Sequence, residues 1–288
     1  MSDKLITKPE NHSLLIVGCV RNVESTIELE LYKINQITDN FKNRKFLLIE
    51  SDSKDKTINI LNNIKTNKEN FDFKTLGNLD KVYNFRTERI ARCRMEYVNE
   101  INNNPKYFDV DLILVLDFDN INYLLTKKSI LACFEKNGWD AVFANQKFAY
   151  YDIYALRHEN WSPNDYRAQL DFLDKYRKDR FLNYWASAYS RMITIPENSE
   201  WIKVLSAFGG AALYKKDCFI SNKYIGLING KEVCEHIAFN QELSKRNKKL
   251  YICPAFINSG FNEHLKRLKF LYKIKFYFIV FISFFKKN

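Results

Sequence analysis

Glycine is scarce in this chain, 8 residues in 288, and none are spaced as GxxxxGK or GxGxxG. A backbone that wraps a phosphate closely needs glycine at those spacings, which counts against a P-loop NTPase and a dinucleotide-binding fold. Proline is rarer still, at 5, and together these shortages exclude fibrous and low-complexity chains. The six cysteines, Cys19, Cys93, Cys133, Cys218, Cys234 and Cys253, include no CxxC pair. That argues against a structural zinc site and a dense disulfide framework, and predicts reduced, buried thiols in a cytosolic protein. The opening "MSDKLITKPENHS" has no apolar core and does not read as a secretory signal.

What is present is apolar mass and positive charge. Hydrophobic residues make up 46% of the chain and aromatics 15%, enough for one large domain or two small ones. Lys and Arg number 45 against 34 Asp and Glu, a net +11. Such a balance favours an anionic partner: nucleic acid, a phosphate-bearing substrate or an acidic membrane surface. The C-terminal "HLKRLKFLYKIKFYFIVFISFFKKN" mixes basic and aromatic residues. Its apolar run Phe276–Phe285 spans roughly half a bilayer. Lys266, Arg267, Lys269, Lys273 and Lys275 precede it. The pattern predicts an amphipathic helix in the interface of an anionic membrane; a helix docked on the rest of the fold is the competing reading.

Along the chain, apolar runs alternate with helical spacing. "SLLIVGCV", "KFLLIESDS", "NFDFKTL" and "DLILVLDFDN" read as strands. Between them, "VESTIELELYKINQIT" puts Ile27, Leu31, Ile34 and Ile37 on one helix face. "KDKTINILNNIK" and "RTERIARCRMEYVNEI" are also helical. The order β-α-β-α-β-α-β predicts an α/β fold with a mostly parallel sheet flanked by helices. Later, "WDAVFANQ" reads as a strand and 165–185 as one or two charged helices, while "LSAFGGAALYKKDCF" and "LYICPAFIN" complete the core. Ligands of such sheets bind beyond the carboxyl ends of the strands. The polar clusters "CVRN", "ESDS" and "DFDN" all fall there.

In "DLILVLDFDN" two acids follow an unbroken apolar run. Asp117 and Asp119 at i and i+2 of an extended segment face one side. Two carboxylates there repel, and a divalent cation removes the repulsion. Hard oxygen ligands suit Mg²⁺ or Mn²⁺, which keep open positions for phosphates. A solvated strand end, with Asn120 as a helix cap, is the ordinary alternative. Arg89 and Arg92, three apart, share a helix face and carry guanidinium forks matched to phosphate. Arg94 is a further candidate in the same stretch, against a merely solvated basic face. Gly209 and Gly210 in "FGGAALY" allow close backbone approach to a ligand, or form a simple turn. Trp161, Tyr150, Tyr151 and Trp185 offer faces for sugar stacking, or plain packing.

"LLIVGCVRN", "FLLIESDSKDKT", "RTERIARCRMEYV" and "DLILVLDFDN" together resemble the nucleotide-binding half of GT-A (Rossmann-like) glycosyltransferases. The nearest pattern is the fungal capsule-associated α-1,3-mannosyltransferase family and its bacterial relatives. The likeness covers roughly 13–125 and continues more loosely through "SAFGGAALYK", "EVCEHIAFN" and "YICPAFINSG". It implies that Asp117 and Asp119 form a DxD motif holding the metal and the donor diphosphate, with Asp119 the better placed for direct ligation. Val20 and Arg21 would then meet the nucleoside, and Glu50 and Asp52 the base or ribose. Glu235 in "CEH" would be the acid facing the acceptor, able to take a hydroxyl proton. His236 beside it would point elsewhere. A late histidine, His264, would supply a third metal ligand.

The expectation is therefore a metal-dependent glycosyltransferase. Its catalytic domain would span 1–262, with a nucleotide-sugar half at 1–125 and an acceptor half at 126–262. A membrane-associating segment would span 263–288. It would use Mn²⁺ or Mg²⁺ and a UDP- or GDP-sugar, with a glycan or lipid-linked acceptor and no nucleic acid. Surface polysaccharide or lipopolysaccharide assembly at the inner face of the membrane would be its setting. The rivals are a sugar-phosphate nucleotidyltransferase and a non-enzymatic basic protein binding membrane or nucleic acid.

Overall fold

A computed structural model describes residues 8–261 and Leu265. The expected C-terminal helix, the third-ligand histidine His264 and, but for Leu265, the 263–288 segment lie outside these residues.

The first half folds in the order expected. Strand β1 (Ser13–Val20), helix α1 (Ile27–Ile37), strand β2 (Asn43–Glu50), helix α2 (Thr57–Asn67) and strand β3 (Phe71–Thr75) come first. Helix α3 (Arg86–Asn103) and strand β4 (Leu112–Leu116) follow. Then come helix α4 (Lys127–Ala132), strand β5 (Ala141–Gln146) and helices α5 (Tyr166–Tyr176) and α6 (Arg180–Ser187). Strands β6 (Ile202–Lys203), β7 (Ala211–Lys215), β8 (Leu227–Ile228) and β9 (Lys231–Glu232) lead to helix α7 (Glu235–Lys245) and strand β10 (Leu250–Ser259).

Eight strands form one mixed sheet in the order β3-β2-β1-β4-β7-β5-β10-β6. β1, β2, β3 and β4 pair in parallel, as do β5 and β10. β7 runs against both β4 and β5, and β6 against β10. β4 reads "LILVL" without alternation because helices cover both sheet faces. Leu112, Leu114 and Leu116 join one core with Ile27, Leu31 and Ile34 of α1 and Leu61 of α2. Ile113 and Val115 join the other with Tyr97 and Ile101 of α3 and Phe239 of α7. All six cysteines are free thiols, five buried and Cys19 half-buried.

The antiparallel β7 matters most for function. It enters the sheet at the edge where its parallel neighbours end, so Gly209 and Gly210, just before it, sit beside the end of β4. The Asp117 amide donates to the Gly210 carbonyl at 3.0 Å. The sequence alone did not resolve α4, α7 or the two-residue strands.

Candidate functional site

The end of β4 keeps strand alternation for three more residues. Phe118 turns inward, 2% exposed, into the core beneath Gly18. A Cβ at Gly18 would lie 2.4 Å from the Phe118 ring, so that glycine makes room for it. Asp117 and Asp119 therefore face the opposite way, as expected. Asn120 is not a helix cap: it is left-handed, φ 63°, and turns the chain so that Asp119 Oδ1 accepts the Ile121 amide at 3.2 Å. The cap of α4 is Thr126, whose hydroxyl accepts from the Ser129 amide.

Both acids open into a cleft of about 910 Å³ at the carboxyl edge of the sheet. Val20, Arg21, Asp52, Arg89 and Glu235 also line it. Glu50 does not: it is fully buried. One of its carboxylate oxygens accepts the Ser53 amide at 2.9 Å and the other the Thr75 hydroxyl, which fixes the β2 end. Asp52, left-handed at φ 62°, accepts the Asp80 amide at 2.8 Å.

The three arginines of α3 have different fates. Arg89 lines the cleft and donates to the Tyr83 and Asn84 carbonyls at 2.8 and 3.2 Å. Arg92 does not line the cleft; it pairs with Glu96 one turn on, at 3.0 Å. Arg94 is buried. Its Nε donates to Glu235 Oε1 at 3.0 Å and its Nη2 to Asp117 Oδ1 at 3.0 Å. The guanidinium lies 5.0 Å from the Phe208 ring centre and 5.7 Å from that of Tyr224. A signal for this was present: Thr87, Ala91, Arg94, Val98 and Ile101 form the buried stripe of α3.

Burial pushes the Asp117 carboxyl up to about 7; Arg94 opposes, while Asp119 and Glu235 add to the rise. Glu30 on α1, which sequence reasoning passed over, is likewise pushed up to about 7 by desolvation, with Asp119 contributing. Its Oε1 is buried without a hydrogen-bond partner among the described residues. Glu235 sits in the first turn of α7, where the helix dipole favours a carboxylate. His236 stacks on Phe208 at 3.8 Å between ring centres. Neither of its ring nitrogens has a hydrogen-bond partner among the described residues, and burial, then Arg94, holds its pKa well below the usual value.

Gly209 and Gly210 do not line the cleft; they hold its floor. Both are left-handed, φ 74° and 89°, and a Cβ at Gly209 would lie 2.5 Å from Gln146 Nε2. The Gly209 carbonyl accepts from Asn258 at 2.7 Å and from Gln146 at 3.2 Å. Asn258 also donates to Asn122 at 2.8 Å, and Asn122 donates to the Asp117 carbonyl at 2.7 Å. This amide chain ties the ends of β4, β5 and β10 together; scattered amides gave no hint of it. Among the aromatics, Tyr151 lines the cleft. Tyr150 is buried, Trp161 donates to the Arg191 carbonyl at 2.6 Å, and Trp185 is exposed on α6.

Asp117 and Asp119 each have one oxygen engaged and one without a hydrogen bond from any described residue. Two such hard donors beside a phosphate-sized space fit Mg²⁺ or Mn²⁺, which take one or two carboxylates and complete the shell with phosphate and water. Among the described residues, no cluster of three or more His, Cys, Asp or Glu side chains could hold a metal by itself.

No family model matches the chain, nor does any curated protein. Among solved structures it is similar to the mannosyltransferase PcManGT from Pyrobaculum calidifontis in complex with GDP-Man and Mn²⁺. Identity is 9%, the match covers 89% of this chain and 58% of that one, and the TM-score is 0.49. It is also similar to glucosyl-3-phosphoglycerate synthase from Mycobacterium tuberculosis in complex with Mn²⁺, UDP and glucosyl-3-phosphoglycerate. There identity is 12%, coverage 90% and 75%, and the TM-score 0.45. Both TM-scores are below 0.5, and these likenesses assign this chain no activity.

Proposed function

We propose that this protein is a metal-dependent glycosyltransferase of the GT-A type, moving a sugar from a UDP- or GDP-sugar to a hydroxyl. The observation that carries the reading is the pair Asp117 and Asp119, turned together into a 910 Å³ cleft at the carboxyl edge of the sheet. In a chain of net +11, acids gathered at one cleft call for a cation shared with an anionic ligand.

The roles follow from position. Asp117 and Asp119 would hold Mn²⁺ or Mg²⁺, which would supply positive charge to the departing diphosphate. Arg21 and Arg89 on the cleft wall add positive charge for the diphosphate. Val20 and Asp52 bound the nucleoside end. Glu235 accepts the acceptor hydroxyl proton. Arg94 touches no ligand in this scheme; it holds Asp117 and Glu235 in one frame. His264 remains our proposed third ligand. Residues 1–125 form the donor half and 126–262 the acceptor half, with 263–288 contacting membrane. A lipid-linked glycan acceptor, and surface polysaccharide or lipopolysaccharide assembly at the inner membrane face, fit that segment. No described helix is long and apolar enough to cross a membrane.

The test is thermal stability with a panel of nucleotide-sugars plus Mn²⁺. A shift with one donor, abolished by Asp119→Ala and by chelation, supports the reading. No shift with any donor overturns it, and a shift with nucleoside triphosphate plus sugar phosphate instead points to a nucleotidyltransferase.

A further inference from the structure

The α5–α6 hairpin leaves much of its large apolar surface exposed. Its buried residues are Leu170 from α5, and Asn183 and Ser187 from α6. Asn183 stitches the hairpin, donating to Asp174 Oδ1 at 2.6 Å and to the Arg177 carbonyl at 2.8 Å. The outward face is aromatic: Phe172, Tyr176, Phe181, Leu182 and Trp185 are all exposed. Five large apolar side chains exposed on two short helices suit an apolar surround rather than water.

The sequence that follows the described fold says what that surround is. Lys175, Lys178 and Arg180 are exposed beside the aromatics. Arg177 is exposed there too, and so are three acids: Asp171, Asp174, which accepts from Asn183, and Asp179, which caps the Leu182 amide at 3.0 Å. The chain leaves the described fold at this hairpin's base, where Leu265 packs with Ala149 against Tyr189 and Met192. The sequence beyond it, 266–288, carries Lys266, Arg267, Lys269, Lys273, Lys275, Lys286 and Lys287 and no acid. The hairpin's exposed charges nearly balance, so its aromatic side chains set its preference, while the sequence beyond Leu265 is strongly cationic. An anionic membrane takes both, the rings at its headgroup boundary and the cations at its phosphates.

We propose that the outward face of the α5–α6 hairpin docks on an anionic lipid surface. Aromatic rings enter the headgroup boundary while the flanking cations meet lipid phosphates. The opposite side of the same hairpin lines the cleft through Arg167 and Tyr184, so docking sets the cleft beside the lipid. This goes beyond the glycosyltransferase reading and stands without it.

The experiment is co-sedimentation of the full chain with phosphatidylcholine vesicles and with vesicles containing phosphatidylglycerol. Phe181→Ser with Trp185→Ser lowers binding to the anionic vesicles on the order of tenfold. Lys175→Glu with Lys178→Glu, at exposed positions that do not threaten folding, lowers it comparably and removes much of its salt dependence. Trp185→Phe keeps binding but loses part of the fluorescence blue shift that vesicles induce. Wild-type binding in all variants, with an unchanged blue shift, would mean that the C-terminal segment acts alone and overturns the proposal. So would hairpin variants that change only the sedimentation mass, since the face would then be covered by a second copy of the chain.

Discussion

At the amino ends of the parallel strands, acids are matched by lysines. Asp72 lies 2.6 Å from Lys65 and 3.2 Å from Lys106, Asp109 lies 2.6 Å from Lys45, and Asp140 lies within 3.6 Å of Lys215 and Lys248. The Lys45 hydrogen bond holds the Asp109 carboxyl below its ordinary range, and Lys65 and Lys106 do the same for Asp72 against its desolvation. At the carboxyl ends the accounting differs. Asp117 and Glu235 share one buried cation, Arg94, and Asp119 adds a third negative charge. One edge of the sheet is electrically closed and serves stability. Around Arg94 the other is left short of positive charge, which a divalent metal would supply and share with an anionic ligand.

The sharpest way to break this contrast is Arg94→Met. It strands two carboxylates and is expected to cost about 3–5 kcal/mol of stability, read as a fall in denaturant midpoint. Arg94→Lys, with no fork to bridge both acids, restores only part of it. Glu235→Gln keeps the shape and is expected to lower kcat about 10²-fold with donor affinity little changed. Intact turnover would remove Glu235 from the role of base.

A pH series sharpens the comparison. With its pKa raised from 3.8 to about 7, Asp117 favours the folded state below the unfolded pKa, and that contribution is lost as pH rises through about 7. In metal-free protein the Asp117 contribution should therefore fall between about pH 4 and 7, against the opposite contribution of His236, which burial keeps neutral. Asp117→Asn lacks this slope, so its melting temperature should gain on the wild type as pH rises. Glu30, whose rise Asp117 promotes, moves back toward its ordinary range in the variant and adds to the difference in the same direction. The smallest effect is expected at the closed edge. Lys248→Ala removes partners of Asp140 and Asp217 and should cost no more than about 1 kcal/mol, with donor binding unchanged.

The longer strands and the first three helices were legible because periodicity is local. An unbroken apolar run followed by acids at i and i+2 fixes which way Asp117 and Asp119 face, whatever the rest of the chain does. The arginines show where that logic stops. Equal spacing could not rank Arg89, Arg92 and Arg94, since which stripe of α3 is buried depends on what packs against it. Phe208, Tyr224 and Glu235, more than a hundred residues downstream, make a buried cation tolerable at Arg94. The family resemblance put Glu50 against the base or ribose, yet Ser53 and Thr75 use both of its oxygens.

What the sequence determined by itself is the alternating α/β order, the acidic end of β4 and the cationic, aromatic character of the C-terminal segment. Each depends on neighbours within a few residues. Only the tertiary structure decided that β7 runs backwards between β4 and β5, which brings Gly209, Gln146, Asn258 and Asn122 into one hydrogen-bonded floor. It also decided that Arg94 joins the acid of β4 to the acid of α7. The physical reason is the same in both cases: a buried polar group is stable only with its partners, and those partners were far away along the chain.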